Sequence, residues 1–172
     1  MADETAPTNG QQGQPNGTTD PNAPQFAPQV VYIKDVSFES PLGPRIPQSD
    51  TAPNVNMNLT TSINQIGTEL FEVVLNLSVH STLADKTIWL CEVKQAGAFA
   101  ARNIPDAELR RILGVFCPNY LLPYSRQTIA DLLIKGGFPP FLVPPVNFDV
   151  LFDQAAAQQS ANADAANQPA VN

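Results

Sequence analysis

A chain of 172 residues suffices for one ordinary domain and is short for two. Its 16 acidic against 9 basic residues give a formal net charge of −7. An acidic chain with scattered bases cannot neutralise a run of phosphates, which makes nucleic acid and anionic membranes poor partners and a basic partner a better one. Prolines number 17, about twice the ordinary share of roughly 5%. No apolar run approaches the roughly 18 residues that span a bilayer. The first thirty residues hold no Lys or Arg and no apolar signal-peptide core, so a cytoplasmic protein without direct membrane insertion is expected.

Residues 1–25 contain no aromatic and, after Met1, no aliphatic side chain larger than Ala. Nothing there offsets the entropy of ordering, and the segment reads as a disordered tail. Residues 154–172 are rich in Ala and Gln and read as a flexible tail fraying from a preceding helix. Every aromatic lies between Phe26 and Phe152, which places the folded domain at 26–153. Asp3, Glu4, Asp20 and Asp164 account for four of the seven net negative charges, so the domain itself is only mildly acidic.

The stretch 30–39, VVYIKDVSFE, predicts a strand with Tyr32, Val36 and Phe38 on one face and Val31, Ile33, Asp35 and Glu39 on the other. In 40–53, Pro41, Pro44, Pro47, Pro53 and Gly43 deny any regular element and predict a long, semi-rigid loop. Val55, Met57, Leu59 and Ile63 then alternate with Asn and Thr in a second strand. The third is the cleanest, with Phe71, Val73, Leu75, Leu77 and Val79 opposed to Glu72, Val74, Asn76, Ser78 and His80. After a turn at 83–86, a fourth strand sets Trp89, Cys91 and Val93 against Ile88, Leu90, Glu92 and Lys94. Four strands in succession, with no helix between them, predict an antiparallel sheet.

Beyond Gly97 the period turns helical. Asp106 is placed to cap a helix after Pro105, with Leu109, Ile112, Leu113 and Phe116 at helical spacing and Pro118 as its interruption. A second helix over 119–135, buried through Leu122, Ile129, Leu132 and Leu133, tolerates Pro123 only in its first turn and stops at Gly136–Gly137. FPPFLVPPV, 138–146, predicts an extended apolar strap, and Asn147 caps a last helix containing Phe148, Leu151 and Phe152. The fold class is α+β: a four-stranded antiparallel sheet followed by C-terminal helices. Apolar residues on both sheet faces require cover on both, one supplied by the helices and the other most cheaply by a second subunit.

Catalytic chemistry finds no support in the residues. One histidine, His80, and two cysteines, Cys91 and Cys117, without C-x-x-C spacing do not make a metal site or an evident nucleophile–base pair. The glycines form no phosphate-binding motif. Asp35 and Glu39 are about 13 Å apart along one strand, too far for acid–base pairing. Neither a cofactor nor a metal is expected, and the chain does not read as an enzyme. Two features of the surface stand out instead. Asp35, Glu39, Leu90 and Glu92 share a sheet face if their strands are adjacent, interspersed with Val31 and Ile33; the choice between a docking patch and an ordinary solvated face is open. The strap's Phe138, Phe141, Leu142 and Val143, with the proline-rich loop, either line a groove for extended apolar polypeptide or close the core.

KDVSFESP at 34–41, FEVVLNLSV at 71–79, WLCEVKQAGAF at 89–99 and the block from Cys117 to Phe152 carry a resemblance to the SecB family of bacterial protein-export chaperones. The similarity covers essentially the whole ordered domain. It implies a homotetramer, assembled as a dimer of dimers, that binds unfolded precursors of exported proteins without ATP and delivers them to the translocase motor ATPase SecA. Matched residue by residue, it implies that Asp35, Glu39, Leu90 and Glu92 receive the motor's zinc-bearing C-terminal tail, and that Trp89, Cys91, Val93 and Gln95 influence subunit assembly. Trp89 stands where the family commonly has Phe. The two proline-rich apolar segments suggest a client groove of Phe38, Leu42, Phe138, Phe141, Leu142 and Val143. A holdase needs apolar contact and repeated weak sites rather than an active site. The rival reading is a non-chaperone oligomeric adaptor that docks a basic partner through the acidic face, its grooves being packed core.

Overall fold

The computed structural model describes residues 22–43, 45 and 50–166, the side chains of 159–166 excepted. Most of the expected N-terminal tail, part of the proline-rich loop and residues 167–172 lie outside the described residues.

Four long strands, β1 (Gln25–Glu39), β2 (Asn54–Gly67), β3 (Leu70–Leu83) and β4 (Lys86–Arg102), form one antiparallel sheet in the order β1-β4-β3-β2. The hairpin between β3 and β4 turns on Ala84 and Asp85, both with positive φ (47° and 62°), the paired left-handed geometry of a two-residue hairpin. β1 and β2 are neighbours in sequence but occupy opposite edges, so the loop between them must carry the chain across the sheet.

One face of the sheet is the core. Val73, Leu75, Leu77 and Val79 from β3 and Trp89, Cys91, Val93 and Phe99 from β4 are buried there beneath the helices, with Leu113, Leu121, Ile129 and Leu133 opposite them. The approach is close at Gly97, where a Cβ would stand 2.8 Å from the Phe99 ring and 3.1 Å from Leu121. The other sheet face is open within this chain and carries mostly polar side chains.

Two expectations for β1 change. The register slips between Ile33 and Asp35, and the extra residue, Lys34, is a β-bulge. Period-2 alternation therefore breaks: Ile33 pairs with Gln95 and Val31 with Gly97, on the helix side, whereas Tyr32 pairs with Ala96 and joins Asp35 and Glu39 on the open side. Val31 and Ile33 do not belong to the acidic face.

The helices depart from expectation as well. α1 (Asp106–Arg111), a π-helical turn (Ile112–Phe116) and α2 (Cys117–Lys135) run as one continuous rod, so Pro118 does not interrupt it. In the π turn the N–H of Cys117 reaches back to the Ile112 carbonyl. That wider turn eases the clash a proline ring makes with the carbonyl four residues earlier. Pro123 lies inside α2 rather than in its first turn, because α2 begins at Cys117. Asp106 makes no capping hydrogen bond; it lies inside the first turn with Glu108, where the helix dipole favours acids.

α2 ends as expected. Gly137, at φ +82°, donates to the Ile134 carbonyl (3.0 Å) and Phe138 N–H to the Leu133 carbonyl (2.9 Å), a pairing that closes a helix on a left-handed glycine. The strap bends at Phe138 and forms no regular helix or strand over 139–147, and the side chain of Asn147 accepts the Val150 N–H at 3.2 Å, capping α3 (Phe148–Ala166). α3 continues past Asp153, where the sequence places the end of the domain. It is held by buried Phe148, by Phe152 lodged against Gly114, and by Arg111, which pairs with Asp149 and lies 3.6 Å from Asp153. No helix among the described residues is long and apolar enough to cross a membrane.

Candidate functional site

On the open face, residues paired across the strands form rows from β1 through β4 and β3 to β2. Three successive rows read Glu39–Leu90–His80–Asn56, Ser37–Glu92–Ser78–Asn58 and Asp35–Lys94–Asn76–Thr60. Strands lie about 4.8 Å apart, and same-face neighbours along a strand about 7 Å apart. Asp35, Glu39, Leu90 and Glu92 are thus brought onto one flat patch, with Leu90 half-buried between Glu39 and His80. Glu92 accepts a hydrogen bond from the Ser78 hydroxyl at 3.2 Å.

The patch also holds a base. Lys94 Nζ lies 2.8 Å from Asp35 Oδ2, with both side chains more than half exposed. The hydrogen-bonded ammonium holds the Asp35 carboxyl below its ordinary range, and Asp35, with a smaller contribution from Glu92, raises Lys94. Lys94 shares parity with Leu90 and Glu92, so its face is legible in the sequence; its pairing with Asp35 rests on β1 lying beside β4 in this register, which parity does not give.

Two rows further along the same face, Glu72 on β3 ties both edge strands together. It accepts hydrogen bonds from the Tyr32 hydroxyl, from Lys34 Nζ (2.7 Å) and from Asn64 Nδ2 (3.4 Å). Ala96 and Ala98 on the intervening β4 are small enough for the β1 side chains to cross over them. Glu72 is 7% exposed, and the Lys34 bond, followed by the Tyr32 bond, holds its carboxyl below the ordinary range against the opposing effect of burial. The bulged residue and its clamp accompany the change of facing that puts Tyr32 on the open side and Val31 and Ile33 on the helix side.

The helix side carries an open pocket of about 740 Å³ between the end of β1 and the end of α2, lined by Phe38, Ser40, Leu132, Lys135, Gly136 and Phe138 among others. Phe138 joins this wall to the core: its ring lies 6.2 Å from Phe38 and 6.5 Å from Trp89, centroid to centroid. Leu42 stands in the turn between Ser40 and Gly43, both of which line the pocket. The strap residues divide. Phe141 is half-buried against the core, Leu142 is 83% exposed, and Val143 is turned inward at 6%. Val143 therefore presents no side chain to a ligand of this conformation.

Trp89, Cys91, Val93 and Gln95 are all buried between the sheet and the helices. Burial pushes the Cys91 thiol up to about 11, with Glu92 adding to it, and that of Cys117 up to about 12, which makes both poor nucleophiles. Gln95 spends its amide on the Tyr32 carbonyl at 2.9 Å, beside the bulge. Among the described residues, no group of three or more His, Cys, Asp or Glu side chains is arranged to hold a metal ion.

A family model described as preprotein translocase subunit SecB matches residues 19–159. The protein-export protein SecB of Hahella chejuensis is 45% identical over 141 residues, covering 82% of this chain and 89% of the relative. Its counterpart in Chromobacterium violaceum is 43% identical over 137 residues, 80% of this chain and 91% of the relative. Among solved structures, a SecB-like chaperone of Mycobacterium tuberculosis, in complex with a ChAD peptide from an antitoxin, superposes with a TM-score of 0.59 over 70% of this chain and 90% of its own, at 12% identity. At that identity the likeness concerns the fold alone.

Proposed function

Since the chain belongs to the SecB family of protein-export chaperones, we propose that it is an ATP-independent cytosolic holdase that keeps unfolded precursors of exported proteins translocation-competent and delivers them to the motor ATPase SecA. The observation that carries this reading is the separation of two unlike surfaces: an open aromatic groove on the helix side and a flat acidic patch on the opposite side of the sheet. Holding requires the first, because an open apolar trough with few geometric demands accepts many sequences. Delivery requires the second, because a charged face speeds encounter with a basic tail and fixes its register.

Client contact falls to Phe38, Leu42, Phe138, Phe141 and Leu142, with Val143 acting from beneath by packing. Asp35, Glu39 and Glu92 supply charge to the docking patch and Leu90 its dry centre. The working form is a homotetramer, a dimer of dimers. In support, Ile33 (48% exposed) and Val36 (42%) on the helix side of β1, and Phe116 (48%), Tyr124 (43%) and Ile134 (57%) on the helical rod, lie uncovered in one chain. Trp89, Cys91, Val93 and Gln95 would influence assembly through the seat they give the helices.

Aggregation of a reduced, non-native polypeptide, followed by light scattering without nucleotide, tests the reading. The tetramer should suppress it near stoichiometric ratio. Undiminished aggregation, with the motor still bound, would instead identify an adaptor whose grooves are only packed core.

A further inference from the structure

Resting on the reading of the open face as the motor's docking surface, we propose that Lys94 is a resident counter-ion of that surface: it occupies the Asp35 carboxylate that a basic partner would use, and so limits the affinity of docking. The geometry is direct. Asp35 and Lys94 are register partners on adjacent strands, and their charged groups meet at 2.8 Å without a long reach. Their side chains are 60% and 52% exposed, so an incoming ammonium or guanidinium has access to the carboxylate and Lys94 has solvent to retreat into. Glu92 lies two residues before Lys94 on the same strand face, and its attraction also keeps the ammonium over the patch. The neighbouring base, Lys34, is committed to Glu72 and is not available to replace it.

For a basic partner the consequence is an exchange rather than a gain. Contact with Asp35 forms one ion pair and breaks another of the same kind, so the net attraction comes from Glu39 and Glu92. Docking is thereby held in a weaker range, which suits a partner that must be released. Removing the Lys94 charge leaves three carboxylates with no resident base. It should strengthen binding of a basic tail by about two- to fivefold at low salt, the range that an exposed ion pair spans. The salt dependence should steepen, because one more unpaired negative charge faces the partner.

The test uses the full-length assembly and a peptide of the motor's zinc-loaded C-terminal tail, titrated calorimetrically at low and high salt. Lys94→Gln keeps length and polarity at an exposed position; Glu92→Lys is the control for the docking face itself. Tighter, more salt-sensitive binding by Lys94→Gln, with weaker binding by Glu92→Lys, supports the proposal. Unchanged or weaker binding by Lys94→Gln while Glu92→Lys loses affinity overturns it and makes Lys94 an organiser or bystander of a genuine docking face. If Glu92→Lys leaves the affinity unchanged, the docking-face reading fails and the counter-ion falls with it.

Discussion

The ring of Phe38, near the end of β1, lies over Gly136 at the end of α2 so closely that a Cβ on the glycine would stand 2.3 Å from it. The groove wall thus depends on a residue without a side chain. Gly136 itself has helical geometry (φ −76°), so alanine is excluded there by the aromatic ring and not by the backbone.

Gly136→Ala should therefore move the Phe38 ring while leaving the helix intact. We expect client affinity to fall severalfold and stability to drop by about 1–3 kcal/mol, the usual range for overpacking. Helical content and oligomeric state should persist. Client titration together with urea denaturation checks this; unchanged client binding would remove Phe38 from the groove.

Glu72 carries a pH signature. Its carboxyl is held below the ordinary range in the folded protein, chiefly by Lys34, so its contribution to stability is present above the unfolded carboxylate value. That contribution is lost as pH falls through the depressed folded value. Glu72→Gln should cost about 1–3 kcal/mol near neutrality, as expected when hydrogen bonds at a largely buried carboxylate are weakened. The variant should also lose less stability than the parent on acidification below pH about 4.5. Urea midpoints measured from pH 7 to 3 give the comparison; parallel curves would exclude the clamp.

Leu142 and Val143 are adjacent in sequence and differ in exposure, at 83% and 6%. Leu142→Ser should weaken client binding with little change in stability. Val143→Ala should cost about 1–3 kcal/mol through the cavity it leaves. Thermal melts beside client titrations separate the two; loss of stability in Leu142→Ser would place that side chain in the core instead.

The fold class was legible because β3 alternates from Leu75 to Leu83 and β4 from Trp89 to Gln95, and the last block switches to helical spacing; Gly137 and Asn147 mark helix ends by their own backbone chemistry. The strand order was not, since the loop from β1 crosses to the far edge and local periodicity carries no record of which edge a strand takes. Parity read from Val30 to Glu39 misassigns Val31, Tyr32 and Ile33 because one bulged residue, Lys34, reverses the faces of the residues just before it, and the carboxylate that holds its ammonium, Glu72, lies 38 residues away. Asp35 and Glu39 came out on the right face because they follow the bulge. Pro118 reads as a helix stop, and only the π turn ahead of it explains why the rod continues. Parity placed Asp35, Glu39, Leu90 and Glu92 on one face, whereas the ion pair of Asp35 with Lys94 among them required the actual register.

If holding and docking occupy opposite sides of one sheet, Glu92→Lys should separate them. Glu92 is exposed on the open face, away from the groove, so reversing its charge should disturb only the patch. Tail binding and suppression of client aggregation should be measured on the same preparations of parent and variant. Tail affinity should fall by about tenfold or more and become less sensitive to salt, with aggregation suppression unchanged. Equal tail affinity in the two proteins, or loss of both activities together, would contradict it.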